Sequence, residues 1–220
     1  LNRVHGGAYL AEGYGNETPV SVREKIYREE KAAIAKRCMQ FIREQDSLML
    51  DCSTTAMYIA RELAATVQRV TVITNSLLVA SEVAQSENIR LIMLGGEFNS
   101  RANAFFGDIT IQSAGSYYAN KAFISSAGIS LQAGVSDYTH EEAAVRRQMI
   151  ARSAQCFFAA DLTKIGRTAV HTIVPISSVN CLIVDQAIEE KDLQLKRELE
   201  KQNCKIITCT DHKKGTVTEL

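Results

Sequence analysis

Neither sign of charge is in excess in this sequence: 25 Lys and Arg face 25 Asp and Glu. The chain therefore has no global positive field with which to hold a polyanion by counterion release, and by itself it is expected to bind DNA poorly. Proline occurs only twice, and neither an internal repeat nor a low-complexity stretch divides the chain into two domains. No apolar run approaches the roughly 18 residues of a membrane span, and the first residues lack the charged and apolar regions of a signal peptide. The expected compartment is the cytoplasm, with no membrane partner. Cysteine is present at positions 38, 52, 156, 181, 204 and 209, but no C-x-x-C pair occurs. Several of the six lie inside apolar runs, so reduced core thiols are expected. None of the four histidines stands at metal-ligand spacing with another or beside an evident nucleophile, and neither a metal nor a cofactor is expected.

What is present is a hydrophobic fraction of 46% over 220 residues, enough for one substantial core. Short apolar runs recur at Ser47 to Leu50, Val70 to Ile73, Leu91 to Leu94, Ala122 to Ile124, Phe157 to Ala160, Cys181 to Val184 and Lys205 to Thr208, and read as buried strands. Stretches of helical spacing lie between them at 54–66, 76–86, 108–118, 140–153 and 189–202. The alternation predicts an α/β fold, a Rossmann-like three-layer sandwich on a mostly parallel sheet, with room for a small inserted lobe near 130–175. Residues 1–20 are glycine-rich and aperiodic, with a turn-like cluster at His5-Gly6-Gly7-Ala8, and read as a connector. From Ser21 a helix is expected, with Ser21-x-x-Glu24 as a capping box and apolar positions running on to Ile42. Residues 21–220 would form the domain.

In an open parallel sheet the ligand site lies at the carboxyl ends of the strands, where helix N-termini present free amides and a partial positive charge. Asp51-Cys52-Ser53-Thr54-Thr55 runs from a strand through three hydroxyl residues into a helix, a loop suited to phosphate. Ser53 or Thr54 would serve equally as a helix cap, and Asp51 either accepts from a sugar hydroxyl or braces the loop. Thr74-Asn75-Ser76 places short polar side chains at the next strand end, with Ser76 an evident N-cap. Gly95-Gly96-Glu97 leaves space for backbone to approach a ligand, or makes an ordinary turn. Ser125-Ser126-Ala127-Gly128 follows another strand in the same manner. In Asp161-Leu162-Thr163-Lys164, Lys164 offers a point charge for a phosphate or a solvated surface lysine. Thr139-x-x-Glu142 is a plausible capping box, which gives Glu142 a structural task.

Taken in order, Arg3-Val4-His5-Gly6-Gly7-Ala8, Asp51-Cys52-Ser53-Thr54-Thr55, Thr74-Asn75-Ser76-Leu77, Leu94-Gly95-Gly96-Glu97 and Ala160-Asp161-Leu162-Thr163-Lys164-Ile165-Gly166 resemble the DeoR family of sugar-operon repressors. Ala104-Phe105-Phe106-Gly107 and Ser126-Ala127-Gly128-Ile129 fall where similar segments fall in those proteins. The resemblance implies an effector domain with the fold of ribose-5-phosphate isomerase and glucosamine-6-phosphate deaminase, following a winged helix-turn-helix that binds operator DNA. It also implies that residues 1–20 are the linker remnant after that module, that the chain was cut at Leu1 from a longer protein, and that the protein is a homo-oligomer. Carried over by motif, Asp51, Ser53, Thr54 and Thr55 line a phosphosugar site with Asn75, Ser76, Gly95, Gly96 and Lys164; Gly128 joins them from the fourth strand end. The family more often has Gly where Ser53 stands. The rival function is a phosphosugar isomerase on the same fold. Such an enzyme needs a carboxylate base, for which Glu141 or Glu142 is the candidate, whereas the strand-end loops offer mostly hydroxyls, amides and glycines. A non-enzymatic sensor with no catalytic residues is the expected function.

Overall fold

A computed structural model of the chain describes residues 2–4, 7–9, 18–66 and 69–209. Seven strands form one fully parallel sheet: β1 Ser47–Leu50, β2 Val70–Thr74, β3 Ile89–Met93, β4 Ala119–Ile124, β5 Ser153–Ala160, β6 Cys181–Val184 and β7 Lys205–Thr208. Their spatial order is β7-β6-β5-β4-β1-β2-β3. All seven are the apolar runs that the sequence marked. Period-two alternation within each run supplies both faces: Leu48 and Leu50 enter one core cluster and Met49 the other.

Seven α-helices are seen among the described residues: α1 Val20–Arg23, α2 Arg28–Met39, α3 Thr54–Ala64, α4 Leu77–Val83, α5 Asp108–Gly115, α6 His140–Ala151 and α7 Leu193–Lys201. Ile34 and Cys38 of α2, Met57 and Leu63 of α3 and Val79 of α4 pack on one face of the sheet. Ala114 of α5, Met149 of α6 and Leu199 of α7 pack on the other. Truncating a side chain buried as fully as Leu48 to Ala costs about 2–5 kcal/mol, because the cavity left behind adds to the lost transfer energy. The three-layer α/β sandwich expected from the strand–helix rhythm is therefore the observed architecture. In the stretch suspected of an inserted lobe, Gly128–Ser130, Gly134–Asp137 and His171–Val174 form a separate antiparallel sheet.

The N-terminal part departs from expectation. Asn2–Val4 pairs antiparallel with Gly7–Tyr9 within the stretch read as an aperiodic connector; His5 and Gly6 of the expected turn lie outside the described residues. The single helix expected from Ser21 is broken. Pro19 stands at the N-cap of α1, Glu24 at its C-cap, and Tyr27 adopts a left-handed conformation (φ 51°) before α2 begins. Ser21 and Glu24 thus form no capping box. What sustains the break is a tertiary contact: the Lys31 ammonium donates to the carbonyls of Arg23 (2.5 Å) and Ile26 (2.8 Å), satisfying acceptors that a continuous helix would have satisfied internally.

Candidate functional site

Strand order reverses at β1, which has β2 on one side and β4 on the other. At such a switch point the connections leave in opposite directions, and a crevice opens outside the strand ends. A cleft of about 60 Å³ lies there, lined by Ser53, Thr54 and Thr55 after β1, Ser125, Ser126 and Ala127 after β4, and Asp161, Thr163, Lys164 and Arg167 after β5. Thr18, Arg23, Ile26, Tyr27 and Lys31 cover it from the broken N-terminal helix, and Asp137, Tyr138 and Arg146 close it from the antiparallel sheet and α6.

Of the expected site residues, Ser53, Thr54, Thr55 and Lys164 come together in this cleft. Ser53 is also the N-cap of α3, its hydroxyl accepting from the Ala56 amide at 3.0 Å. Lys164 ends a short 3-10 turn that Asp161 caps by accepting from the Thr163 amide at 3.1 Å. Asp51 lies behind the loop, 1% exposed, and acts as its brace. One carboxylate oxygen accepts from the Ser53 amide (3.0 Å), the other from the Ser125 amide (3.0 Å) and Arg146 Nε (2.7 Å). The loops after β1 and β4 are thereby held at one spacing. Gly128 stands beside Ala127, where a Cβ would lie 2.3 Å from the Arg167 carbonyl oxygen; glycine is what lets the loop carrying Arg167 reach the cleft.

The other four are not among the lining residues. Asn75 is fully buried and donates to the Phe105 carbonyl at 2.8 Å, and Ser76 caps α4 by accepting from the Val79 amide at 3.3 Å. The Gly95 carbonyl accepts from Thr110 Oγ1 at 2.8 Å, and a Cβ on Gly96 (φ 150°) would fall 2.1 Å from that same oxygen. These residues follow β2 and β3, on the side of β1 away from β4, whereas the cleft extends from β1 toward β4 and β5. Asn75 thus holds a backbone carbonyl, Ser76 caps a helix, and the missing Cβ of Gly96 permits a close packing contact.

Among the cleft residues that the sequence motifs did not mark are Arg23, Tyr27, Lys31, Asp137, Arg146 and Arg167. Lys31 had a signal, since it precedes Ile34, Ala35 and Cys38 at helical spacing on the buried stripe of α2. Burial, seconded by the charges of Lys164 and Arg23 and opposed by Asp161, lowers its pKa from 10.5 to about 8. Arg146 had none, because a Glu and an Arg four residues apart read as a solvated helix face. In the fold its guanidinium is 2% exposed and binds Asp51 (2.7 Å), Asp137 (2.7 Å) and Glu142 (2.9 Å). The expected capping box at Glu142 is half formed: its amide donates to Thr139 Oγ1 at 3.2 Å, while its side chain turns to Arg146. Burial, together with the like charge of Glu142, raises the Asp137 pKa from 3.8 to about 7 against the pull of Arg146. Glu142 is likewise penalised by burial, but the charges of Arg146 and Arg23 outweigh that and lower its pKa.

The lining carries five cationic side chains against two carboxylates, with hydroxyls and the N-terminus of α3 beside them. The chemistry of such a surface suits a small anion. The fold is an α/β domain with a polar, cation-rich cleft at its switch point. The family description "DeoR C terminal sensor domain" matches residues 27–186. The chain belongs to the DeoR family, of which it carries the C-terminal sensor domain. It is 33% identical over 215 residues to the HTH-type transcriptional regulator YulB of Bacillus subtilis, covering 98% of this chain and 81% of that protein. It is 32% identical over 184 residues to the HTH-type transcriptional repressor GlcR of the same organism (84% and 70%), and 28% over 183 residues to the glycerol-3-phosphate regulon repressor of Escherichia coli (83% and 72%). Among solved structures it is similar to ribose 5-phosphate isomerase A of Methanocaldococcus jannaschii, with a TM-score of 0.47 at 15% identity over 63% of this chain and 54% of that one. Another is eIF2B beta of Chaetomium thermophilum, with a TM-score of 0.45 at 14% identity, over 64% and 44%. No helix among the described residues is long and apolar enough to cross a membrane.

Proposed function

We propose that this domain senses a phosphorylated sugar and that the ligand alters DNA binding by a helix-turn-helix module preceding it in a cytoplasmic, oligomeric repressor of sugar metabolism. The observation that carries this is the convergence of Lys164, Lys31 and Arg167 on the hydroxyl-rich N-terminus of α3 in one cleft at the sheet's switch point. Each cation is a point charge or fork suited to phosphate oxygens, and Thr54, Thr55 and the first amides of α3 supply neutral donors. A relative named as the glycerol-3-phosphate regulon repressor agrees with a small phosphorylated ligand. Residues 1–20 then form the connector to the DNA-binding module.

The test is calorimetric titration with sugar phosphates and their unphosphorylated parents. Only the phosphorylated forms should bind, and Lys164→Ala should weaken them by about 1.5–3 kcal/mol with folding little changed. Equal binding of both forms by the wild type would defeat the proposal. Unchanged affinity in Lys164→Ala would move the phosphate contact to another cation. The isomerase alternative has one observation in its favour: Asp137 is a cleft carboxylate whose pKa lies near neutrality, as a general base requires. The names of the relatives, all regulators or repressors, favour the sensor. A coupled isomerase assay with pentose and hexose phosphates separates the two, since turnover would establish an enzyme.

A further inference from the structure

We propose that Asp137 is the residue that recognises the hydroxylated part of the ligand, with Arg146 and Glu142 as the positioning residues that hold it to that task. The inference rests on the anion-binding function just proposed, and it names the second half of the ligand's chemistry: an organic phosphate bearing at least one hydroxyl near the anion.

Most of the cleft donates. Arg23, Lys31, Arg146, Lys164 and Arg167 have no acceptor capacity, and an oxyanion, which only accepts, is matched by such groups. A carboxylate in the same cleft is the wrong partner for phosphate and the right one for a hydroxyl, which must donate its proton to something. Two carboxylates line the cleft, Asp137 and Asp161. Asp161 holds its own turn through one oxygen, to which the Thr163 amide and hydroxyl both donate, and its charge is set against the Lys31 ammonium, whose pKa it raises. Asp137 accepts one bond on each oxygen, from the Tyr138 amide at 2.9 Å and from Arg146 at 2.7 Å. When ionised, as it is above its pKa of about 7, Asp137 has about four acceptor sites and keeps capacity on both oxygens.

The surrounding cluster gives a second, independent indication. Three carboxylates converge on one guanidinium, whose remaining nitrogen meets Cys52 Sγ at 3.7 Å, so acceptors outnumber donors. Glu142 Oε1 is buried and without a hydrogen-bond partner among the described residues. A buried acceptor left unmatched costs free energy, and a fold that needed only a brace between β1 and α6 would be served by Asp51 and Arg146 alone. Arg146, itself bound to Glu142 one turn away on the same face of α6, instead holds Asp137 at the cleft wall.

The experiment compares inorganic phosphate, ethyl phosphate, glycerol 3-phosphate and ribose 5-phosphate by calorimetric titration of the wild type, Asp137→Ala and Asp137→Asn, with thermal melting as the check on folding. The wild type should bind the two hydroxylated esters roughly ten- to a hundredfold more tightly than ethyl phosphate, the span of one hydrogen bond to a charged group. Asp137→Ala should reduce that ratio to near one, and its binding of inorganic phosphate should strengthen because a negative charge leaves the cleft. Asp137→Asn keeps the shape, so it must lower the ratio as well; it carries the test should the alanine variant fail to fold. A merely structural Asp137 would weaken all four ligands alike, which overturns the proposal, as does a ratio that survives both substitutions. A wild type that binds ethyl phosphate as well as the esters overturns this proposal and leaves the anion site standing. One that binds none of the four overturns both. Turnover of ribose 5-phosphate lost in Asp137→Asn would make Asp137 a base instead.

Discussion

Replacing Arg146 with Met tests whether the carboxylate cluster is held by a single buried cation. The guanidinium is 2% exposed, and its partners Asp51, Asp137 and Glu142 are 1%, 4% and 2% exposed at 2.7, 2.7 and 2.9 Å. At a solvated helix face such a pair would be worth about 0–1 kcal/mol. Here methionine fills much of the volume but leaves three carboxylates out of water with no countercharge. Removing one partner of a buried ion pair costs about 3–5 kcal/mol, a large share of the roughly 5–15 kcal/mol that stabilises a domain. The variant has one way to lessen the penalty, which is to bind protons. With Arg146 gone, the folded-state pKa of Glu142 rises above its unfolded value, and that of Asp137, already about 7 in the wild type, rises further. A carboxyl so raised contributes stability that is full below its unfolded pKa, near 4, and is lost as pH climbs through the folded one. The destabilisation of Arg146→Met should therefore be largest near pH 8 and clearly smaller at pH 5. Urea unfolding at the two values measures it. A loss under about 1 kcal/mol at pH 8, or an equal loss at both, would refute the reasoning.

Ser53→Ala removes the acceptor for the Ala56 amide and should cost about 1 kcal/mol, seen as a melting temperature lower by about 2–4 °C. A wild-type melting temperature would mean that the hydroxyl contributes nothing to the cap. Lys31→Met tests the buried ammonium, whose pKa of about 8 lies below its ordinary 10.5. A depressed lysine adds stability as pH rises from about 8 toward 10.5, because only the unfolded chain still carries the proton there. The stability of the wild type relative to the variant should grow across that window; a constant difference by urea titration would count against it.

The sequence by itself determined the strand positions, the fold class and the family. Each buried strand of a parallel sheet must be apolar on both sides, which makes it a short continuous apolar run, and all seven runs became strands of one sheet. It also marked Ser53, Thr54, Thr55 and Lys164, which the fold brings into one cleft, because a strand end that opens a helix carries its polar residues in consecutive positions. Four further candidates, Asn75, Ser76, Gly95 and Gly96, looked equivalent, since every strand of a parallel sheet ends in a similar loop. Which of those loops meet at the cleft depends on strand order, a property of the whole sheet that no local spacing encodes. The same holds for the groups that set the cleft's electrostatics. Lys31 bonds the carbonyls of Arg23 and Ile26 at the break in the N-terminal helix, and Arg146 reaches Asp51 across 95 residues of chain. A charged side chain at helical spacing reads as solvated until packing removes the water from around it, and only the tertiary structure decided where that happened.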